Sequence, residues 1–232
     1  MRLNAREIAR MVDLSAVYAD TDEAEVRALA EMAKKYKCAC AYTLPCHSRL
    51  LRGLLTGESE IRVGGVVGFP SGGSTTAMKI AEAKELVQMG CGELDMVINV
   101  GLLRSGQYGR ALDDIKGVVE VAGKVPVKVI LECHYLSDDE IRKACELCIE
   151  GGAAFVKTGT GWAPTGATLE NIALIKSLAG DAISIKAAGG IRRLETLIEM
   201  YWRGARRFGL GIRTAKPIFG ELTSQYGGVA ES

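Results

Sequence analysis

Histidine is scarce in this chain: His47 and His134 are the only two among 232 residues. A catalytic zinc centre draws on three nitrogen, sulfur or oxygen ligands, and a cluster of histidines is the usual sign of one. Cys46-His47 and Cys133-His134 follow different predicted strands and read as packing and surface residues, so no metal site is expected. An excess of one charge is also missing. The formal net charge is +1, and the lysines and arginines are scattered. Nucleic acid and anionic membranes are therefore not expected partners. No apolar run reaches the length of a membrane span, and Met1-Arg2-Leu3-Asn4 does not lead into a signal-like segment. The chain reads as soluble and cytoplasmic.

Linkers, low-complexity segments and sequence repeats are absent as well. Hydrophobic residues make up 48%, enough for one substantial core. Seven cysteines are present, an odd number in a chain too large to need staples, and reduced thiols are the natural reading. Cys145-Glu146-Leu147-Cys148 has the spacing of a redox or zinc motif. It lies in a helical pattern with no second pair, so both cysteines are assigned to the core.

What the chain does contain is a rhythm of short β-branched runs, turns and amphipathic helices. Eight runs are predicted as strands: Met11–Ser15, Ala39–Thr43, Arg62–Phe69, Glu93–Asn99, Val127–Glu132, Ala153–Thr160, Ala182–Ala188 and Arg206–Gly211. Helical patterns lie between them, the clearest being Asp22–Lys37, Thr75–Met89, Tyr108–Ala122, Asp138–Glu150, Leu169–Leu178 and Leu194–Trp202. Cap-like residues open two of these, at Thr21-Asp22 and Ser137-Asp138. Eight alternating units without a break in composition predict a closed parallel sheet, a (β/α)8 TIM barrel. An open doubly wound sheet would carry a first-turn glycine fingerprint, which is missing. The barrel is expected over residues 1–220 as a single domain, with an extra N-terminal helix near Ala5–Ala9. Residues 221–232, with Tyr226, are expected to form a loose tail.

Two lysines interrupt buried runs. Lys157 follows Phe155-Val156, and Lys186 follows Ser184-Ile185. A buried ammonium is costly unless it is paired or loses its proton, and a neutral lysine attacks carbonyl groups to form imines. Period-two alternation puts Asp95 and Asn99 on one face of the fourth strand, and Lys157 and Lys186 on the inner faces of the adjacent sixth and seventh. The three charged groups are expected to converge at the barrel mouth. Lys157 is then the nucleophile, Lys186 the neighbouring cation that disfavours its proton, and Asp95 the proton shuttle. The plain alternative is structural pairing of these lysines with Asp95 or Glu132. Three glycine-bearing turns add an expected anion site: Thr160-Gly161 after strand six, Gly189-Gly190 with Arg192 after strand seven, and Gly209, Gly211 and Arg213 around strand eight.

Several motifs in order resemble those of the deoxyribose-phosphate aldolase family. They are Gly68-Phe69-Pro70 with Thr75-Thr76 and Lys79, Glu93 to Asn99, Val127 to Glu132, Phe155-Val156-Lys157-Thr158, and Lys186-Ala187-Ala188-Gly189-Gly190-Ile191-Arg192. The likeness extends from about Val12 to Gly211. It implies a class I aldolase that reversibly splits 2-deoxy-D-ribose 5-phosphate into acetaldehyde and D-glyceraldehyde 3-phosphate. It also implies Lys157 as the Schiff-base lysine, Lys186 as the second lysine, Asp95 as the relay and Asp13 as the family's first-strand aspartate. No cofactor is expected beyond the covalent imine with Lys157. A small sugar phosphate or aldehyde is the expected partner, with homo-oligomers common among such barrels.

The chain also departs from the family pattern. Gly211 and Ile212 stand where the family usually has serines, and Gly159 replaces another. Leu44 precedes Pro45 where many members have a polar residue, and Leu14 replaces a histidine of many bacterial members. Two alternatives follow. One is the same imine chemistry on a different or unphosphorylated aldehyde; the other is a sugar-binding barrel without catalysis.

Overall fold

Alternation within each short run decides which side chains meet the helices and which enter the barrel. In the computed structural model, which describes residues 3–227, eight strands form. They are β1 (Val12–Ala16), β2 (Cys40–Thr43), β3 (Arg62–Val67), β4 (Glu93–Val97), β5 (Val127–Ile130), β6 (Phe155–Lys157), β7 (Ser184–Ala188) and β8 (Arg207–Gly211). All pair in parallel in sequence order, and β8 closes on β1 with Asp13 opposite Gly209. The (β/α)8 barrel expected from the rhythm is the fold.

Among the described residues ten α-helices surround the sheet: α1 (Ala5–Ala9), α2 (Glu23–Tyr36), α3 (Ser48–Leu54), α4 (Thr76–Gln88), α5 (Val100–Arg104), α6 (Tyr108–Ala122), α7 (Asp138–Glu150), α8 (Leu169–Ala179), α9 (Leu194–Trp202) and α10 (Ile212–Tyr226). Their starts follow local chemistry. Asn4 and Glu7 form a capping box on α1, as do Ser137 and Glu140 on α7. Asp22, Thr75 and Thr168 cap α2, α4 and α8 through side-chain oxygens. No helix among the described residues is long and apolar enough to cross a membrane.

Helices α3, α5 and α10 are additional to the predicted set. Asn99, expected to point into the barrel, instead caps α5 by accepting from the Leu102 amide at 3.1 Å. The loose tail does not begin at residue 221, because α10 continues to Tyr226. Its buried stripe Ile212, Ala215, Ile218, Phe219 and Leu222 has helical spacing, and Phe219 stacks on Tyr36 with ring centroids 4.0 Å apart. Pro217 and Gly220 obscure that stripe in the sequence. Residues 228–232 lie outside the described residues.

The apolar core lies between sheet and helices. Leu14, Leu94, Met96, Val129, Val156, Ile185 and Phe208 face outward into it, and Cys145 and Cys148 are buried there with them. The inside of the barrel is different. Only a small apolar cluster of Val17, Cys40, Tyr42 and Val66 forms there, with Leu44 and Phe69 against it. Branched aliphatics dominate most barrel interiors. This one carries charged side chains, and their positions define the site.

Candidate active site

Strand register brings the charges together. Lys157 on β6 lies directly opposite Lys186 on β7, and Asp95 on β4 lies opposite Lys128 on β5. Lys157 Nζ donates to Asp95 Oδ2 at 2.8 Å, and Lys186 Nζ donates to the same oxygen at 2.6 Å. Lys186 Nζ also stands 2.6 Å from Asp13 Oδ2 and 4.3 Å from the centre of the Tyr42 ring. The three residues expected to converge do so, with Asp13 beside them.

Four further residues complete the cluster. Lys128 Nζ lies 3.4 Å from Asp95 Oδ1, donates to the Tyr42 hydroxyl at 2.6 Å, and donates to Glu93. Arg207 bridges Asp13 at 2.8 Å and Glu93 at 3.1 Å. Sequence reading missed Lys128, Glu93, Arg207 and Tyr42 as members. Lys128 carries the same signal as Lys157, a lysine inside an apolar β-branched run.

Inside the barrel three carboxylates (Asp13, Glu93 and Asp95) thus face four largely buried cationic side chains, Lys128, Lys157, Lys186 and Arg207, while the more exposed Arg62 reaches Glu93 from outside at 2.7 Å. One positive charge is surplus, and a dry interior resists holding it. Lys157 holds its proton least firmly. Its only carboxylate contact is an oxygen that Lys186 shares. Burial pulls the Lys157 pKa down from 10.5 to about 8; Asp95 works against the shift, and Lys186 adds to it. Both expected causes act, burial as the larger and the second lysine as the smaller. Burial also disfavours the Asp95 carboxylate, but Lys157, Lys186 and Lys128 outweigh it and hold that carboxyl well below its usual range.

The lower part of the cluster sets an acid limit on the fold. Burial acts to raise the Glu93 carboxyl, yet Lys128 and Arg207 hold it down at about 2. A depressed carboxyl contributes stability above the unfolded value of 4.5 and loses it as pH falls towards 2. Glu93→Gln is therefore expected to lower the thermal midpoint at pH 7 and to flatten its dependence between about pH 4.5 and 2. Thermal melts across that range check this; parallel curves for the two proteins would contradict it.

Asp13, Cys40 and Glu93 are close enough to resemble a metal-binding set. Their carboxylates are already engaged by Lys186, Arg207 and Lys128, and burial holds the Cys40 thiol protonated. A cation has no place there. His47 contacts the Thr21 carbonyl at 3.1 Å and His134 the Thr165 hydroxyl at 2.7 Å.

Above the charges a pocket opens at the C-terminal ends of the strands, with about 780 Å³ of free space, part of it open to solvent. Lys157, Lys186, Asp95 and Asp13 form its floor. Thr160, Gly161, Gly189, Gly190, Gly209 and Gly211 line it, together with Tyr18, Trp162 and Arg192. Gly189 and Gly190 have φ of +87° and +84°, a conformation that glycine adopts without a Cβ clash, and their backbone faces the pocket. Arg213 does not join them. It turns outward to Glu25 Oε1 at 2.7 Å and Asp20 Oδ1 at 2.8 Å. Position in a turn indicated proximity, but the two carboxylates decide its direction.

Two side chains brace the turns. Glu132, at φ +55°, pairs with neither lysine; it accepts from the Thr160 amide at 3.1 Å and from the Thr160 hydroxyl. A Cβ on Gly159 would sit 2.8 Å from Glu132 Oε1, which explains the glycine there. The Thr158 hydroxyl donates to the Ala188 carbonyl at 2.8 Å and accepts from the Ala188 amide at 2.9 Å, tying β6 to β7 beside both lysines.

A parallel barrel with a buried, partly deprotonated amine under an open pocket has the build of a carbonyl-activating lyase. The chain belongs to the DeoC/LacD family of aldolases, which it matches over residues 8–211; it is a carbon–carbon lyase. It is 51% identical to a deoxyribose-phosphate aldolase of Sinorhizobium medicae, over 92% of this chain and 86% of that one. It is 46% identical to one from Klebsiella pneumoniae, over 96% of this chain and 90% of that one. The tetrameric deoxyribose phosphate aldolase of Aeropyrum pernix superposes with a TM-score of 0.87 at 27% identity, covering 96% of this chain and 94% of its own.

Proposed function

We propose that this protein reversibly cleaves 2-deoxy-D-ribose 5-phosphate into acetaldehyde and D-glyceraldehyde 3-phosphate through an imine on Lys157. The observation that carries the reading is the Lys157 amine, lowered to about 8 by burial at the floor of an open pocket. At pH 7 such an amine is neutral about one time in ten, against about one in 3,000 for an ordinary lysine.

The neutral amine attacks the aldehyde carbon C1, and the carbinolamine loses water to give an iminium. Loss of the C3 hydroxyl proton then lets the C2–C3 bond break. Its electrons pass into the iminium, leaving an enamine and releasing glyceraldehyde 3-phosphate. Protonation of the enamine carbon and hydrolysis release acetaldehyde and restore Lys157. Asp95, bonded to both lysines, is placed to move protons at the nitrogen, and Lys186 stays the cationic neighbour. The imine is the electron sink, so no added cofactor is needed. The backbone at Gly161, Gly189 and Gly190, with Arg192, supplies donors and charge for the phosphate end. A cytoplasmic setting goes with this reading, since all seven cysteines are free and six are buried.

Borohydride added with acetaldehyde is expected to leave an ethyl group on Lys157, read by peptide mass spectrometry. An adduct on another residue, or none, would reject the imine. A second reading keeps the imine and changes the substrate to an unphosphorylated sugar. It is favoured by Arg213 turning out of the pocket and by the missing side chain at Gly211. Near-equal kcat/KM for deoxyribose with and without its phosphate would select it.

A further inference from the structure

Tyr18 follows β1 at the rim of the pocket, and the imine mechanism does not use it. The Arg213 guanidinium covers its ring at 4.1 Å from the centroid, and Glu25 and Asp20 hold that arginine in place. The Tyr18 hydroxyl reaches Gly211. A Cβ on Gly211 would collide with the hydroxyl oxygen, while the ring carbon Cζ would stay 3.4 Å away. Among the described residues Tyr18 hydrogen-bonds through its backbone amide, which donates to Thr21 Oγ1, and not through its hydroxyl; Tyr18 and Gly211 both line the pocket. Gly211 is also the N-cap of the 15-residue α10, whose first amides receive no side-chain cap. An unpartnered hydroxyl therefore stands beside the positive end of a helix, inside the pocket. Burial raises the Tyr18 pKa despite the pull of Arg213, so the hydroxyl keeps its proton and can donate it to an acceptor.

We infer that Tyr18 is a specificity-determining residue whose hydroxyl donates to a phosphate oxygen of the substrate at the start of α10, in the space a hydroxyl side chain at position 211 would otherwise fill. Tyrosine and glycine then form a matched pair. The glycine leaves room for the phenol, and the phenol supplies the donor that the glycine lacks. Arg213 acts as a positioning residue, holding the ring from its outer side. This inference rests on the aldolase reading and names how its phosphate end is recognised.

The test measures kcat/KM for 2-deoxy-D-ribose 5-phosphate and for 2-deoxy-D-ribose in the wild type, Tyr18→Phe, Gly211→Ser and the double variant. A hydrogen bond to a charged oxygen corresponds to about a tenfold effect or more. Tyr18→Phe is expected to lower the preference for the phosphorylated sugar about tenfold, through KM rather than kcat. Gly211→Ser alone is expected to lower it at least as far, because its side chain meets the phenol. In the double variant the serine hydroxyl has space beside the phenyl ring and recovers most of the preference, so the two losses do not add. Borohydride trapping with acetaldehyde, which has no phosphate end, is run on all four proteins and should still label Lys157. Unchanged preference in Tyr18→Phe, or additive losses in the double variant, would overturn the assignment. A wild type that prefers the phosphorylated sugar but gives no adduct would overturn the imine reading alone.

Discussion

Lys157→Leu is expected to lower kcat by on the order of 10⁴-fold or more while leaving the thermal midpoint at pH 7 unchanged or higher. The two halves of that result have one cause. Four cations share three carboxylates inside the barrel, and Lys157 is the one whose proton is least wanted. Leucine removes the proposed nucleophile and also the surplus charge, leaving Lys128, Lys186 and Arg207 against Asp13, Glu93 and Asp95 inside the barrel. The pH dependence carries a definite sign. The amine titrates near 8 in the folded chain and at 10.5 when unfolded, so its cost to the fold is full below about pH 8 and fades towards pH 10.5. The wild type should therefore gain stability relative to Lys157→Leu as pH rises through that window. Calorimetry and steady-state rates on the two proteins check both halves. A large drop in midpoint for the leucine variant would make Lys157 a structural ion-pair partner instead.

Asp95→Asn is expected to damage both fold and turnover. The side chain is fully buried, touches Lys157 and Lys186 through one oxygen, and lies 3.4 Å from Lys128 through the other. Asparagine keeps the shape and removes the charge, which leaves four cations against two carboxylates. Breaking a buried pair from one side costs about 3 kcal/mol or more, and loss of a proton relay about 10²- to 10⁴-fold in kcat. A third readout separates these roles. Asp95 works to raise the Lys157 pKa, so its removal should free the amine further. Acetaldehyde trapping should then reach its plateau at a lower pH than in the wild type, even as turnover falls. Trapping that shifts to higher pH would show that Lys157 does not feel the Asp95 charge.

The sequence alone determined the architecture and the shared inward face of Asp95, Lys157 and Lys186. Eight β-branched runs separated by capped helices allow one simple closed sheet, and polarity is periodic enough to tell inward from outward at Asp95, Lys157 and Lys186. Helices α3, α5 and α10 were harder to read, because a preceding proline turn, short length and the Pro217–Gly220 segment hide their stripes. Only the tertiary structure decided how the charges balance. Asp13 meets Lys186, Arg207 spans Asp13 and Glu93, and Lys128 reaches Asp95 and Tyr42, all across strands distant in sequence. Local pattern shows which face a side chain occupies. It does not show which partner it finds there, and a buried amine gains or loses its proton according to every charge within a few ångströms and the amount of water excluded. The same holds at the rim, where adjacency in a turn pointed to Arg213, while distant Glu25 and Asp20 drew it outward and left the Tyr18 hydroxyl facing the pocket.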